Sequence, residues 1–199
     1  MPSPKKVKFK GFIFDMDGTI VDSKIDFKAL YKHFNLPAGH GILEHISNLT
    51  DKVEINKAHE VLHHYEMQGA LLSEPIHHAF EFLNYLNEEK IPTALFTRNS
   101  KKVTEKTLEI HNLKFDICLT RDDVKAKPNP EGLLKIQTHW NYKLDEILFV
   151  GDYKYDLRAG LAAQIPTALF LNEAADFDTS GSHFNFKHFD ELKMFVEIN

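Results

Sequence analysis

The chain of 199 residues is 43% hydrophobic and 27% charged, and its formal net charge is −5. This composition is typical of a folded globular protein and argues against a disordered chain and against a nucleic-acid-binding protein with a basic face. No stretch approaches the ~20 consecutive apolar residues of a membrane span, and the single cysteine, Cys118, excludes an internal disulfide. We therefore expect a cytoplasmic protein without a secretion signal that binds neither membranes nor nucleic acids.

The first predicted strand covers residues 7–15 and ends in an acidic turn. Its apolar run Phe-Ile-Phe stops at Asp15, and Asp17, Gly18 and Thr19 follow directly. A single aspartate after a strand is usually a turn or helix-cap residue. Two carboxylates one residue apart at the end of a buried strand suggest a chemical role, so this turn is the first candidate site.

The segment after this turn is helical and contains no predicted strand. Its three helical patterns are separated by loop residues and cover residues 26–34, 42–49 and 51–67. We interpret the segment as a small helical unit inserted after the first strand. The predicted domains are a core of residues 1–22 and 76–199 and a helical cap of residues 23–75.

Strands and helices alternate over the rest of the chain. Runs rich in strand-forming residues cover residues 93–97, 115–120, 147–151 and 167–171. Helical patterns precede or separate them at residues 76–90, 100–111, 131–140 and 155–163. This alternation predicts an α/β fold with a Rossmann-like core, in which a parallel sheet has helices on both faces. Residues 172–188 are predicted to form a loop, and residues 191–198 a last short helix.

The carboxyl ends of the strands carry the candidate chemistry, because ligands bind at that edge of an open parallel sheet. Four carboxylates, a hydroxyl and an ammonium group fall there: Asp15, Asp17, Thr97, Lys127, Asp152 and Asp156. Crowded carboxylates repel one another unless a cation neutralises them, and an all-oxygen site suits Mg²⁺ with a substrate phosphate. A lysine, a hydroxyl and the backbone N–H groups of a glycine turn bind phosphate oxygens. The sequence therefore predicts a site for Mg²⁺ and phosphate.

Four motifs in this order resemble those of the haloacid dehalogenase (HAD) superfamily of phosphohydrolases. They are DMDGT at residues 15–19, Thr97 after an apolar strand, Lys127 followed by proline, and GDYKYD at residues 151–156. The helical segment after the first motif is similar to the C1-type cap of that family. The resemblance covers essentially the whole chain and implies a Mg²⁺-dependent phosphatase with a small phosphorylated substrate. Tyr153 departs from the fourth motif, where Ser or Thr is common.

The resemblance also implies a role for each motif residue. Asp15 would be the nucleophile that forms an aspartyl-phosphate, and Asp17 would be the general acid and then the general base, with Thr97 and Lys127 holding the transferred group. The magnesium ligands would be the Asp15 side chain, the Asp17 backbone carbonyl, Asp152 and, directly or through water, Asp156. The phosphate-binding set would be Asp15, Gly18, Thr19, Thr97, Arg98, Asn99 and Lys127. Arg98 and Asn99 have an alternative interpretation as the start of a loop.

Two other functions are compatible with these residues. A phosphomutase of the β-phosphoglucomutase type would use the same chemistry and return the phosphoryl group to a sugar. A phosphate-binding or signalling module such as a receiver domain also uses Asp, Thr, Lys and Mg²⁺, but its phosphorylated Asp follows the third strand. Dehalogenases of the family lack an acid two residues after the nucleophile, so Asp17 favours phosphoryl transfer.

Overall fold

The computed structural model describes residues 8–171 and 175–196. Its strands are β1 Gly11–Phe14, β2 Val21–Asp22, β3 Glu74–Pro75, β4 Thr93–Phe96, β5 Ile117–Leu119, β6 Ile147–Gly151, β7 Thr167–Phe170 and β8 Phe184–Phe186. Six of them form one sheet in the order β5-β4-β1-β6-β7-β8, and every neighbouring pair in that sheet is parallel. The remaining two, β2 and β3, pair antiparallel as a short ribbon.

Helices flank this sheet and form the insertion after the first strand. They are α1 Phe27–His33, α2 Ile42–Ser47, α3 Lys52–Leu71, α4 Ala79–Glu88, α5 Lys101–His111, α6 Glu131–Trp140 and α7 Lys154–Ala163, with 3₁₀ turns at Leu144–Glu146 and Phe189–Phe195. The α/β fold with a parallel sheet and a helical cap after the first strand is confirmed. None of the helices in the described part of the chain has the length and apolar character needed to cross a bilayer.

Strand β1 lies at the centre of the sheet, and its residues are fully buried. Phe14 lies opposite Leu95 of β4 on one side and Val150 of β6 on the other. Since successive strand side chains point to opposite faces, Phe12 and Phe14 pack in one core with α4, while Ile13 packs in a second core with α6 and α7. Burial of each such side chain contributes about 1.5–3 kcal/mol to the stability of the fold. This packing fixes the position of Asp15, the residue that follows β1.

The cap has a hydrophobic cluster of its own between α1, α2 and α3. Its buried members are Leu30, Ile42, Ile46, Ala58 and Leu62. The chain enters the cap through β2 and leaves it through β3, where Asp22 is paired with Glu74 and Val21 with Pro75. Both connections of the cap therefore lie side by side, and the entering strand β2 follows the acidic turn closely.

The C-terminal part of the sequence prediction was wrong in one respect. Residues 172–188 were predicted as a loop, yet Phe184–Phe186 forms β8 and pairs with β7, with Ala168 opposite Phe184. The helix predicted at residues 191–198 is the 3₁₀ turn at Phe189–Phe195 in the structure, and the last two residues of that prediction lie outside the described residues. A three-residue edge strand gives little periodic signal, so the sequence pattern did not reveal it.

Candidate active site

Three strands and one loop bring predicted site residues to the same edge of the sheet. Asp15 directly follows β1, Thr97 follows β4, and Asp152 follows β6. Because β1 lies between β4 and β6, these three residues are neighbours at the carboxyl edge. Lys127 reaches this edge from the loop before α6 and contacts Asp15. The result is a compact group of charged side chains at the centre of the sheet.

Lys127 is fully buried and bridges two carboxylates of this group. Its Nζ lies 2.5 Å from Asp15 Oδ1 and 2.7 Å from Asp156 Oδ1, and the Phe96 and Phe149 rings lie 5.5 and 5.6 Å from it. Burial alone would lower the pKa of Lys127, but the two carboxylates outweigh burial and raise it. A positive charge is therefore fixed beside Asp15.

Asp156 connects this lysine to the loop that carries Asp152. Its Oδ1 accepts a hydrogen bond from Lys127. Its Oδ2 accepts hydrogen bonds from the backbone N–H groups of Tyr153 at 3.0 Å and Asp152 at 3.3 Å. Both oxygens of Asp156 are thus engaged, which favours coordination of a metal through water over direct coordination by this side chain.

Three carboxylates meet beside Lys127 and together could hold a cation. Oxygens of Asp15, Asp152 and Asp156 lie within 4.8 Å of one another. Burial, reinforced by the charge of Asp156 and opposed by Lys127, raises the pKa of Asp15 to about 7. Burial and the charges of Asp156 and Asp15 also raise the pKa of Asp152 well above its ordinary value. A divalent cation would relieve this repulsion, and carboxylate oxygens are ligands of Mg²⁺, so the donor set fits the predicted metal.

The turn after β1 packs directly against Asp152. Gly18 has φ +79°, and a Cβ atom there would lie 2.3 Å from Asp152 Oδ2, so both backbone and space require glycine. The fully buried Thr19 donates from Oγ1 to Asp152 Oδ1 at 3.0 Å and so orients that carboxylate. The N–H groups of Gly18 and Thr19 donate to the carbonyls of Val21 and Met16. The phosphate-binding role expected for Gly18 and Thr19 stays a prediction.

Asp17 lies beside the three carboxylates of Asp15, Asp152 and Asp156, and its side chain is held by Asn99. Asn99 Nδ2 donates to Asp17 Oδ2 at 2.5 Å, and the Asn99 N–H donates to Thr97 Oγ1 at 3.2 Å. Burial raises the pKa of Asp17, although hydrogen bonds from Ser23 and Asn99 lower it in part. A carboxyl group with a raised pKa keeps a proton closer to neutral pH, which a proton donor needs.

Arg98 follows Thr97 but is directed to the cap. Its Nη2 lies 3.0 and 2.9 Å from the two carboxylate oxygens of Glu44 in α2, and its guanidinium stacks on the Tyr155 ring at 4.0 Å. Its Nη1 donates to the backbone carbonyl of Lys127. The Arg98 side chain is thus bound to Glu44 in the structure. Its expected role in phosphate binding stays a prediction.

A second arginine, Arg121, also joins the core to the cap, and no pattern in the sequence pointed to it. Its Nη1 and Nη2 bind the two carboxylate oxygens of Glu66 in α3, at 2.5 and 2.9 Å. The partners of Arg98 and Arg121 are 54 and 55 positions away in sequence. Such pairs depend on how the cap docks, and no local pattern encodes that.

A cavity of about 600 Å³ lies between the carboxylate edge and the cap. Asp15, Asp17, Thr97, Asn99 and Asp152 line its floor. Residues from the cap helices and from the loop before α2 line the opposite wall. A small molecule in this cavity would contact the nucleophile candidate Asp15 and the cap at the same time.

Comparisons with known proteins agree with this arrangement. The model of the haloacid dehalogenase-like hydrolase family matches residues 12–170. A haloacid dehalogenase-like hydrolase domain-containing protein of Arabidopsis thaliana is 33% identical over 92% of this chain and 80% of its own. Pyrophosphatase PpaX of Halalkalibacterium halodurans is 27% identical over 79% of this chain and 81% of its own.

Solved structures have the same fold. A hydrolase from Pseudomonas syringae superposes with a TM-score of 0.76 and 19% identity, covering 94% of this chain and 99% of that one. The family model spans most of the chain, and the edge that it covers carries the buried carboxylates and Lys127. The chain belongs to the haloacid dehalogenase-like hydrolase family.

Proposed function

We propose that the protein is a Mg²⁺-dependent phosphatase that hydrolyses a small phosphorylated metabolite through an aspartyl-phosphate on Asp15. The observation that carries this proposal is the Asp15 carboxylate, which is held by the buried Lys127 at the cavity floor with Asp17 two residues away. We place the reaction in the cytoplasm, as a chain with one cysteine suggests.

In the first step, an Asp15 carboxylate oxygen attacks phosphorus and the bond from phosphorus to the leaving oxygen breaks. Asp17 donates its proton to that oxygen, and its raised pKa supports this role. The Lys127 ammonium and the Thr97 hydroxyl bind the phosphoryl oxygens and offset their charge. The leaving group departs as an alcohol, and Asp17 is left as a carboxylate.

In the second step, water replaces Asp15 at phosphorus. Asp17 accepts a proton from the water, whose oxygen forms the new bond to phosphorus while the bond to the Asp15 oxygen breaks. Inorganic phosphate leaves, and Asp15 and Asp17 return to their initial states. A phosphatase and a phosphomutase differ at this point, because a mutase would use a sugar hydroxyl in place of water.

The residues that would hold Mg²⁺ are Asp15, the Asp17 carbonyl and Asp152, with Asp156 acting through water. The ion would offset the negative charge that the phosphoryl group brings to three carboxylates.

We also propose residues 23–75 as the cap domain and residues 1–22 and 76–199 as the core. Docking of the cap would exclude bulk water from the first step, and its opening would release the products.

The test is phosphate release from a panel of phosphorylated metabolites, with Mg²⁺ or with EDTA. We expect release by the wild type with Mg²⁺, none with EDTA, and a loss of at least about a thousandfold in Asp15→Asn. The matched control is Asp145→Asn, in the exposed turn before β6 and so at the opposite edge of the sheet. Asp15→Asn with substantial activity would overturn the nucleophile assignment.

A further inference from the structure

The cap side of the cavity is apolar and aromatic. Its lining from α1, α2 and α3 includes Phe27, Leu30, Tyr31, Ile42, Leu43 and Leu62. The Phe27 and Tyr31 rings stack with centroids 6.3 Å apart and an angle of 29° between the planes, and Phe27 is 48% exposed. Such a wall favours a leaving group with a flat or apolar face.

The cations in this lining are already paired. Among the described residues that line the cavity, the lysines and arginines are Lys24 and Arg98. Lys24 forms ion pairs with Asp22 and with Glu74, the latter at 3.1 Å. Arg98 is held by both carboxylate oxygens of Glu44. The lining also includes the exposed side chain of His40.

Carboxylates outnumber cations among the described residues of this lining, although several of them are also paired. Asp22 is the partner of Lys24 and Glu66 is the partner of Arg121, whereas Asp176 is an exposed lining residue. A second anionic group on the substrate, beyond the phosphoryl group itself, would lose water to an apolar wall and face carboxylates. Repulsion of an unsuitable substrate contributes to specificity, as does attraction of a suitable one.

We propose that the substrate has an uncharged leaving group with a ring or comparable apolar face, such as a nucleoside or an aromatic alcohol. This inference rests on the proposed phosphatase function and narrows its substrate class. Pyrophosphate and phosphoglycolate, whose leaving parts carry negative charge, are poor fits to this lining. Glu44 acts as a specificity residue, because it occupies the Arg98 guanidinium that would otherwise attract an anionic leaving group.

The experiment compares two substrates of equal shape, 4-carbamoylphenyl phosphate and 4-carboxyphenyl phosphate, which differ in one negative charge. We expect kcat/KM for the carbamoyl compound to exceed that for the carboxylate by about tenfold or more, and a nucleoside monophosphate to exceed phosphoglycolate likewise. A carboxylate compound that is hydrolysed as well as or better than the carbamoyl compound would overturn the inference while leaving the phosphatase intact.

Two variants test the charge argument without touching the catalytic residues. Glu44→Gln frees Arg98, and His40→Lys adds a positive charge to the exposed lining. Each variant should raise kcat/KM for the carboxylate compound and so reduce the ratio of the two kcat/KM values several-fold. The controls are Glu60→Gln and Asn48→Lys, which make the same charge changes at exposed cap positions outside the lining and should leave the ratio unchanged. Equal ratios in all variants would contradict the role of lining charge.

Binding separates failure of this inference from failure of the proposed function. If no compound releases phosphate, the phosphatase proposal is wrong. The dissociation constants of the two aryl phosphates for Asp15→Asn in Mg²⁺ then still measure the preference of the cavity. Tighter binding of the carbamoyl compound, by about tenfold, supports an uncharged ligand, and equal or weaker binding refutes it.

Discussion

Arg121 of the core and Glu66 of the cap form a bidentate ion pair whose side chains are only 10% and 6% exposed. Nη1 of Arg121 also donates to the backbone carbonyl of Arg98 at 2.9 Å. The backbone N–H of Arg121 donates to the backbone carbonyl of Asn99 at 3.1 Å. Asn99 in turn holds Asp17. A docked cap is thereby connected to the residue that holds Asp17, the proposed proton donor.

This pair should be strongly coupled in stability. Removal of either partner leaves the other buried and unpaired, so Glu66→Gln and Arg121→Gln should each lower the free energy of unfolding by about 3–5 kcal/mol. The double variant should lose less than the sum, with a coupling free energy of about 1–3 kcal/mol. Urea unfolding of the four proteins measures it. Additive losses would show that the two side chains do not interact in solution.

Asn99 should control the pH dependence of turnover. Its hydrogen bond lowers the pKa of Asp17, so Asn99→Ala should raise that pKa further and shift the alkaline limb of the kcat profile to higher pH. The shift should accompany a fall in kcat, because Asp17 is no longer held in one orientation. The exposed Asn84 supplies the control variant, Asn84→Ala. A lower kcat with an unmoved pH profile would argue for a purely structural role.

Gly18 and Gly39 allow steric clash to be separated from backbone strain. Their φ values are +79° and +77°, but a Cβ at Gly39 meets no heavy atom within 4 Å, while one at Gly18 overlaps the Asp152 carboxylate. Gly39→Ala should therefore cost roughly 1–2 kcal/mol of stability from the positive φ alone. Gly18→Ala should cost more and should also weaken Mg²⁺ binding, as measured by thermal unfolding with and without the ion. Equal costs and equal Mg²⁺ responses would contradict the packing of Gly18 on Asp152.

Without metal, the acidic edge should destabilise the protein as pH rises. The folded-state pKa of Asp15 is about 7, above its ordinary value of 3.8. Its favourable contribution is therefore fully present below pH 3.8 and is lost as the pH rises through about 7. In EDTA, Asp15→Asn should become more stable relative to the wild type across this range, as followed by thermal unfolding.

At pH 8, Mg²⁺ should stabilise the wild type more than Asp15→Asn, so that the wild type becomes the more stable of the two. The reason is that an ion that binds the folded state raises its stability by mass action. The Asp145→Asn protein again serves as the reference. A wild type whose stability in EDTA does not fall relative to Asp15→Asn between pH 4 and 8 would contradict the raised pKa of Asp15.

Local sequence was sufficient to bring the candidate site residues to one edge of the sheet and insufficient to describe the cap contacts. Asp15, Thr97 and Asp152 were found because each follows an apolar strand, and parallel strands bring their carboxyl ends together. Glu44, Glu66 and Arg121 were not found, because a charged residue on a helix or in a loop looks the same whether it faces solvent or a docked domain. The Thr19 hydroxyl donates to Asp152 in the structure, a contact that the sequence did not predict, and the phosphate-binding role expected for Thr19 stays a prediction.

The ribbon of β2 and β3 brings the two ends of the cap together. Asp22 and Glu74 are paired partners, so a two-residue Asn-Gly turn between them would close a hairpin and leave the connectivity of the large sheet unchanged. Insertion or replacement of a segment whose ends already touch adds little loop-closure entropy. An ancestral core of this kind could therefore acquire, lengthen or exchange its cap in single genetic events, and change what it recognises without having to rebuild the machinery beneath.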